Sequence, residues 1–163
     1  MIEALLHAQR DKPFTLRDVE TLEICVHAKW LRVCNNKNPQ TGLEIKFSYV
    51  WLAGMTIGGM PTANPDVYTD ELTRSAELQG FANKVSVVAG KTSDTASAVT
   101  VVLSSGETIT AQHDLSGEIV MEDLALKLRY KAQAVIGDRS DKLWKTIQQG
   151  RQPARDIFSN IDT

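Results

Sequence analysis

Lys46 and Tyr49 are the residues of this chain whose types and spacing best suit chemistry. They follow the polar run Asn35-Asn36-Lys37-Asn38-Pro39-Gln40 and a Thr41-x-x-Glu44 pattern, in which Thr41 and Glu44 are placed to satisfy each other's free backbone donors at a helix start. The helix expected from there is apolar almost all round, with Leu43, Ile45, Phe47, Val50, Trp51, Leu52, Met55 and Ile57, and Gly58-Gly59 ends it. On such a helix Lys46 shares a face with Tyr49, Val50 and Ala53. Two roles are open to it. Its stem can lie on apolar surface while the ammonium reaches solvent or an acid. Alternatively it is a cation in a cleft wall that binds a carboxylate ligand, with Tyr49 as a hydroxyl donor.

The other reactive residue types form no set. His7, His27 and His113 stand far apart and outside any H-x-x-x-H or H-E-x-x-H spacing, so no metal or other cofactor is expected. Ser104-Ser105-Gly106 is a turn without the flanking glycines of a nucleophile elbow. Gly58-Gly59 lacks the Lys-Ser/Thr of a phosphate loop. Glu122 and Asp123 read as acids favouring a helix N-terminus. Cys25 and Cys34 suit neither a zinc knuckle nor a disulfide framework and are read as reduced, buried packing residues.

The elements around these residues follow from periodicity. Ile2, Leu5 and Leu6 share one helical face before Pro13. Thr15 to Asp18 resembles a helical turn capped by Thr15. From Thr21 the period becomes two, with Leu22, Ile24, Val26 and Ala28 inward and His27 on the polar side. Past Trp30 the parity flips to Leu31 and Val33, which predicts a bulge or bend. A helix is expected over about 69–82, using Leu72, Ala76 and Phe81, and then a strand over 84–89.

Val99–Leu103 and Thr108–Gln112 make a hairpin whose register can be argued. A three-residue loop closing on Gly106 sets Val101 opposite Ile109 and Val99 opposite Ala111, apolar against apolar. A two-residue loop sets Val101 against Thr110, so the three-residue form is preferred. The last third is helical. Leu124, Leu128, Ala132 and Val135 line one helix that Gly137 stops. Leu143, Trp144 and Ile147 build the next, which Gly150 stops, and Pro153 opens a short terminal helix with Ile157, Phe158 and Ile161. No repeat or linker divides the chain. The expectation is a single α+β domain over 1–163, a two-layer sandwich of a small, mainly antiparallel sheet with helices, plus C-terminal helices.

Composition narrows the classes. The 163 residues carry a net charge of −2, which gives no basic stripe for nucleic acid or an acidic membrane surface. No apolar run reaches the roughly 18 residues of a membrane span. An acid, Glu3, stands where a signal peptide places Lys or Arg, so a cytoplasmic protein is expected.

Several segments together carry a resemblance. They are Asn38-Pro39-x-Thr41-Gly42-Leu43-Glu44-x-Lys46-Phe47-Ser48, then Tyr68-Thr69-Asp70-Glu71-Leu72, Lys84-Val85-x-Val87, and Val101-x-Leu103-x-x-Gly106-Glu107. Asp123-Leu124-x-x-Lys127-x-x-x-x-Ala132, ending near Ile136-Gly137, closes the series, and Ile2 to Leu6 with Asp18-Val19-Glu20 open it. In this order and over nearly the whole chain they resemble the MmgE/PrpD family, which includes 2-methylcitrate dehydratase, cis-aconitate decarboxylase and iminodisuccinate epimerase.

The resemblance implies the family's smaller α+β domain with its C-terminal helices, starting just after the Lys- and His-bearing active-site segment. It also implies proton abstraction beside a carboxylate on small di- and tricarboxylates, as a lyase or isomerase. Such chemistry needs a base, an acid and cations in one cleft. The chain offers Lys46 and Tyr49 without a matching base, so it is expected to be inactive alone. Where the family often places a cleft-lining Tyr three residues after the Ser of Lys-Phe-Ser, this chain has Trp51, whose indole only donates. Lys46, Tyr49 and Trp51 are the candidate binding residues for a small carboxylate. A separate helical-domain subunit, or a homodimer formed through the apolar 43–57 surface, is the expected partner. A surface at that helix covered within one copy counts against both.

Overall fold

The computed structural model describes residues 1–149, so the terminal helix expected from Pro153 lies outside the described residues. The described residues group into two compact units, Met1–Thr62 with Asp66–Gly117, and Ala63–Pro65 with the residues from Glu118 on.

The first unit is built on a four-stranded sheet in the order β2-β1-β3-β4. Its strands are β1 (Val19–His27), β2 (Val85–Gly90), β3 (Ala96–Leu103) and β4 (Thr108–Asp114). β1 pairs antiparallel with β3 and β3 with β4, while β1 and β2 run parallel. A parallel pair needs a crossover, supplied by the helices between those two strands. Alternation decides which face is covered. Val19, Leu22, Ile24 and Val26 of β1, Val85 of β2, and Val99, Val101 and Leu103 of β3 are buried in one core. Glu23, Ser86 and Thr110 lie exposed. The α+β two-layer reading holds.

Helices α1 (Ile2–Asp11), α4 (Tyr49–Ile57) and α5 (Ala76–Ala82) supply the second layer. α1 buries Ala4, Leu5 and Ala8, whereas Leu6 is exposed, so the true inward face is one residue round from the expected one. Thr15–Asp18 is a turn in which the Thr15 hydroxyl and N–H both donate to the Asp18 carboxylate, at 2.7 and 2.8 Å. The expected bulge past Trp30 is instead a short helix, α2 (Ala28–Leu31), and helical spacing explains the parity flip. The register shift falls earlier, between Val19 and Thr21.

The hairpin has the argued register, with Val101 opposite Ile109 and Val99 opposite Ala111. Gly106 sits at φ +86°, the left-handed conformation that closes a three-residue loop.

The expected long apolar helix is two. α3 (Gly42–Ile45) unwinds through bonds from Lys46 N to Leu43 O, Phe47 N to Glu44 O and Ser48 N to Ile45 O, each spanning three residues. Ser48 then takes an extended backbone and caps α4, its hydroxyl accepting from Trp51 N at 3.3 Å. α4 is covered by its own unit along most of its length, while Leu43 and Phe47 stay 65% and 43% exposed. The expected 69–82 helix is likewise interrupted, into a 3-10 turn (Glu71–Arg74) and α5, because Ser75 caps α5 by accepting from Leu78 N.

The second unit contains α6 (Met121–Ile136) and α7 (Arg139–Gln149), joined through Gly137 at φ +61°. Leu124 and Ala132 are half-buried, but Leu128 and Val135 of the expected inward face are exposed. Arg129 lies over the Trp144 ring at 5.0 Å. Among the described residues no helix is long and apolar enough to cross a membrane.

Candidate functional site

The polar run after Cys34 is a built loop rather than a loose one. An antiparallel bridge joins Asn35 to Ser48, and Asn36 N donates to Phe47 O at 3.1 Å. Asn38 N donates to the Asn36 side chain at 3.1 Å, and Gln40 Nε2 to Asn38 O at 3.0 Å. Thr41 accepts from Glu44 N at 3.3 Å, as its pattern demands. Glu44 does not return the bond to Thr41; its carboxylate reaches Gln40 N at 2.7 Å and Asn36 Nδ2 at 3.3 Å. That carboxylate therefore fixes the loop.

A second segment is drawn to the same place. Gly42 N donates to Asp70 Oδ1 at 2.8 Å, and a Cβ on Gly42 would lie 1.9 Å from Tyr68 O, so only glycine lets the two backbones meet. Gln79 Nε2 reaches back to Thr73 O at 2.9 Å, holding the turn that carries Arg74 against α5.

Between these segments lies a cleft of about 710 Å³. Trp51, only 3% exposed, lies in its wall with Val50 and Val85. Lys37 and Arg74 supply two cations, and Asn38, Gln40, Gln79 and Asn83 supply amides; among the described residues no carboxylate lines it. Ion pairs elsewhere among the described residues include Arg10–Asp11, Lys12–Glu107 and Lys29–Asp94. Lys37 and Arg74 have no ionic partner among the described residues. The arrangement offers charge and amides to a small anion. Among the described residues its lining includes no base.

Residues 1–149 match the sequence profile of the MmgE/PrpD C-terminal domain. The chain belongs to the MmgE/PrpD family. No curated protein matches it. In this MmgE/PrpD domain the segment Asn38 to Ser48, which carries the resemblance most densely, lines the cleft through Asn38, Pro39 and Gln40.

The three residues singled out from the sequence do not share a site. Trp51 lines the polar cleft. Tyr49 lines a separate, largely apolar cavity of about 400 Å³ with Trp30, Leu52 and Leu115. Burial first, then the neighbouring Cys34, pushes the Tyr49 phenol up to about 12, and burial also raises the Cys34 thiol. Lys46 follows the last turn of α3, exposed, with Nζ 5.0 Å over the Tyr68 ring. Lys46 and Tyr49 were placed on one helix face, and the break at Ser48 removes that face.

Lys37 and Arg74 were missed. Each reads in isolation as a surface charge in a turn or on a helix. The available signal was the second capping serine, Ser75, which puts Arg74 at the end of a turn rather than inside a helix. His7 and His113, remote in sequence, meet edge to face with centroids 5.4 Å apart. Among the described residues no three metal-binding side chains come together.

Proposed function

We propose that this domain is the smaller, C-terminal part of a cytoplasmic lyase or isomerase acting on small polycarboxylates, of the 2-methylcitrate dehydratase kind. It contributes an anion-binding wall and does not turn substrate over alone. The observation that carries this reading is the lining of the polar cleft, which among the described residues has two unpaired cations but neither a histidine nor a carboxylate. Abstracting a proton beside a carboxylate requires a positioned base in the same cleft. That base is assigned to an all-helical domain, on the same polypeptide or on a separate subunit. The test is to follow 2-methylcitrate and cis-aconitate with the chain alone and with a family helical domain added. Turnover by the chain alone sinks the reading; turnover only in the mixture supports it.

A second reading, a free-standing dimerisation or binding domain, rests on the exposure of Leu43 and Phe47. Light scattering separates the two: a stable homodimer indifferent to the helical domain favours the second.

A further inference from the structure

We infer that the free edge of β4 pairs with β4 of a second copy of this chain, antiparallel about a two-fold axis at Thr110, so that two four-stranded sheets become one. The inference is independent of the catalytic reading and uses a surface other than Leu43 and Phe47.

The direction of the β4 backbone groups is fixed at both ends of the strand. Leu103 N donates to Glu107 O at 2.8 Å, and Leu115 N donates to Thr95 O at 3.2 Å, so the odd-numbered residues turn toward β3. Alternation along an antiparallel strand then turns the N–H and C=O groups of Thr108, Thr110 and Gln112 outward. β4 is the last strand of the sheet and pairs only with β3. All three residues are exposed, and among the described residues their outward groups have no backbone partner.

Sheets ordinarily blunt such an edge with lysine, proline or a bulge. β4 has none of these from Thr108 to His113, which read Thr-Ile-Thr-Ala-Gln-His, and its register against β3 is unbroken. The opposite edge, β2, is flanked by Lys84 and Lys91.

The strand that fits this edge is β4 itself. With the axis at Thr110, Thr110 faces the partner's Thr110 and Thr108 faces the partner's Gln112, so every outward N–H meets an outward C=O. Ile109 lies beside the partner's Ala111, and the threonine pair on the axis is a favourable cross-strand match. The acids at the strand ends, Glu107 and Asp114, face the partner's His113 and the partner's Gly106, so no like charges oppose. Sliding the pairing one step sets Gln112 against a turn glycine, or Thr108 against Asp114, whose C=O is already taken by Gly117 N at 3.1 Å. Edge pairing covers little area, which places the dimer in the weak, concentration-dependent class.

The test is sedimentation velocity of the full chain from about 1 μM to about 1 mM, where a rise from monomer to dimer is expected. Thr110→Pro removes the central N–H at an edge where proline is otherwise tolerated, and Thr110→Lys sets like charges on the axis. Each should weaken the dimer at least about tenfold. Thr110→Val keeps the backbone bonds and should dimerise as the parent does. Phe47→Ser, on the separate apolar surface, should leave dimerisation unchanged. At the higher concentration amide exchange should slow at Thr108, Thr110 and Gln112 but not at Ile109 and Ala111, which already face β3. The Thr110 side chain is exposed, and circular dichroism checks that the variants fold. A chain that stays monomeric, unchanged exchange at the three outward amides, or a dimer untouched by Thr110→Lys each overturns the inference. A dimer lost in Phe47→Ser also overturns it, and leaves dimerisation through the Leu43 and Phe47 surface standing.

Discussion

Cys34 and Tyr49 meet at the start of α4. Tyr49 N donates to Cys34 O at 3.0 Å, and the Tyr49 phenol and the Cys34 thiol lie near enough to perturb each other's titration. The pair closes the base of the loop that carries Lys37 and sets where α4 begins.

One prediction follows for alkaline pH. A phenol raised to about 12 in the folded chain favours folding in its neutral form. That contribution is present in full below about pH 10, where the unfolded phenol is still protonated, and is lost as pH rises toward about 12. Absorbance titration should show a tyrosine ionising near pH 12 that is gone in Tyr49→Phe. The variant should also lose about 1 kcal/mol or less at neutral pH, measured by urea unfolding. Persistence of the late ionisation in the variant contradicts the assignment.

Glycine replacements separate backbone contact from helix propensity. Gly42→Ala drives a Cβ into the Tyr68 carbonyl and should cost about 3 kcal/mol, with the cleft disturbed. A Cβ at Gly80, inside α5, would meet no atom within 4 Å, so Gly80→Ala should stabilise by about 0.5–1 kcal/mol. Denaturant midpoints for the two variants should move in opposite directions. Equal losses at both sites disprove the contact argument.

Asp114 contributes to the acid limb. Its carboxylate accepts from Thr95 Oγ1 at 2.6 Å, Ser116 N at 2.9 Å, Ser116 Oγ at 2.8 Å and Ser93 Oγ at 3.0 Å. These donors, the Thr95 hydroxyl first, hold its pKa well below the usual carboxylate range. The stabilisation is present above about pH 4, where the unfolded carboxylate is ionised, and fades as pH falls further. Thermal melts of the parent and Asp114→Asn should differ most at neutral pH and converge on acidification. A gap that widens in acid contradicts the sign.

Much of the architecture is legible without coordinates. The hairpin register follows from one glycine and the apolar alternation on both strands, because loop class and side-chain period are local properties. The two-layer α+β form follows from the same alternation in β1. The candidate site was legible only in part. The Asn-rich turn and the Thr41 cap were visible, but Lys46 and Tyr49 were placed together on a helix that Ser48 interrupts. A serine inside an apolar run reads as a tolerated polar residue. It becomes a cap only because it is fully buried beside the loop, where its hydroxyl finds the Trp51 N–H.

Sequence alone determined the period of each strand, the hairpin turn, the Thr41 cap and the family resemblance, since all depend on residues close together in the chain or on motifs in order. Tertiary structure decided the rest. β2 lies parallel beside β1 because the helices between them cross over the sheet. Lys37 and Arg74 line one cleft because Gly42 lets its segment dock on the Tyr68–Asp70 backbone and side chain. No local pattern encodes that meeting, which exists only once two distant segments are packed in contact.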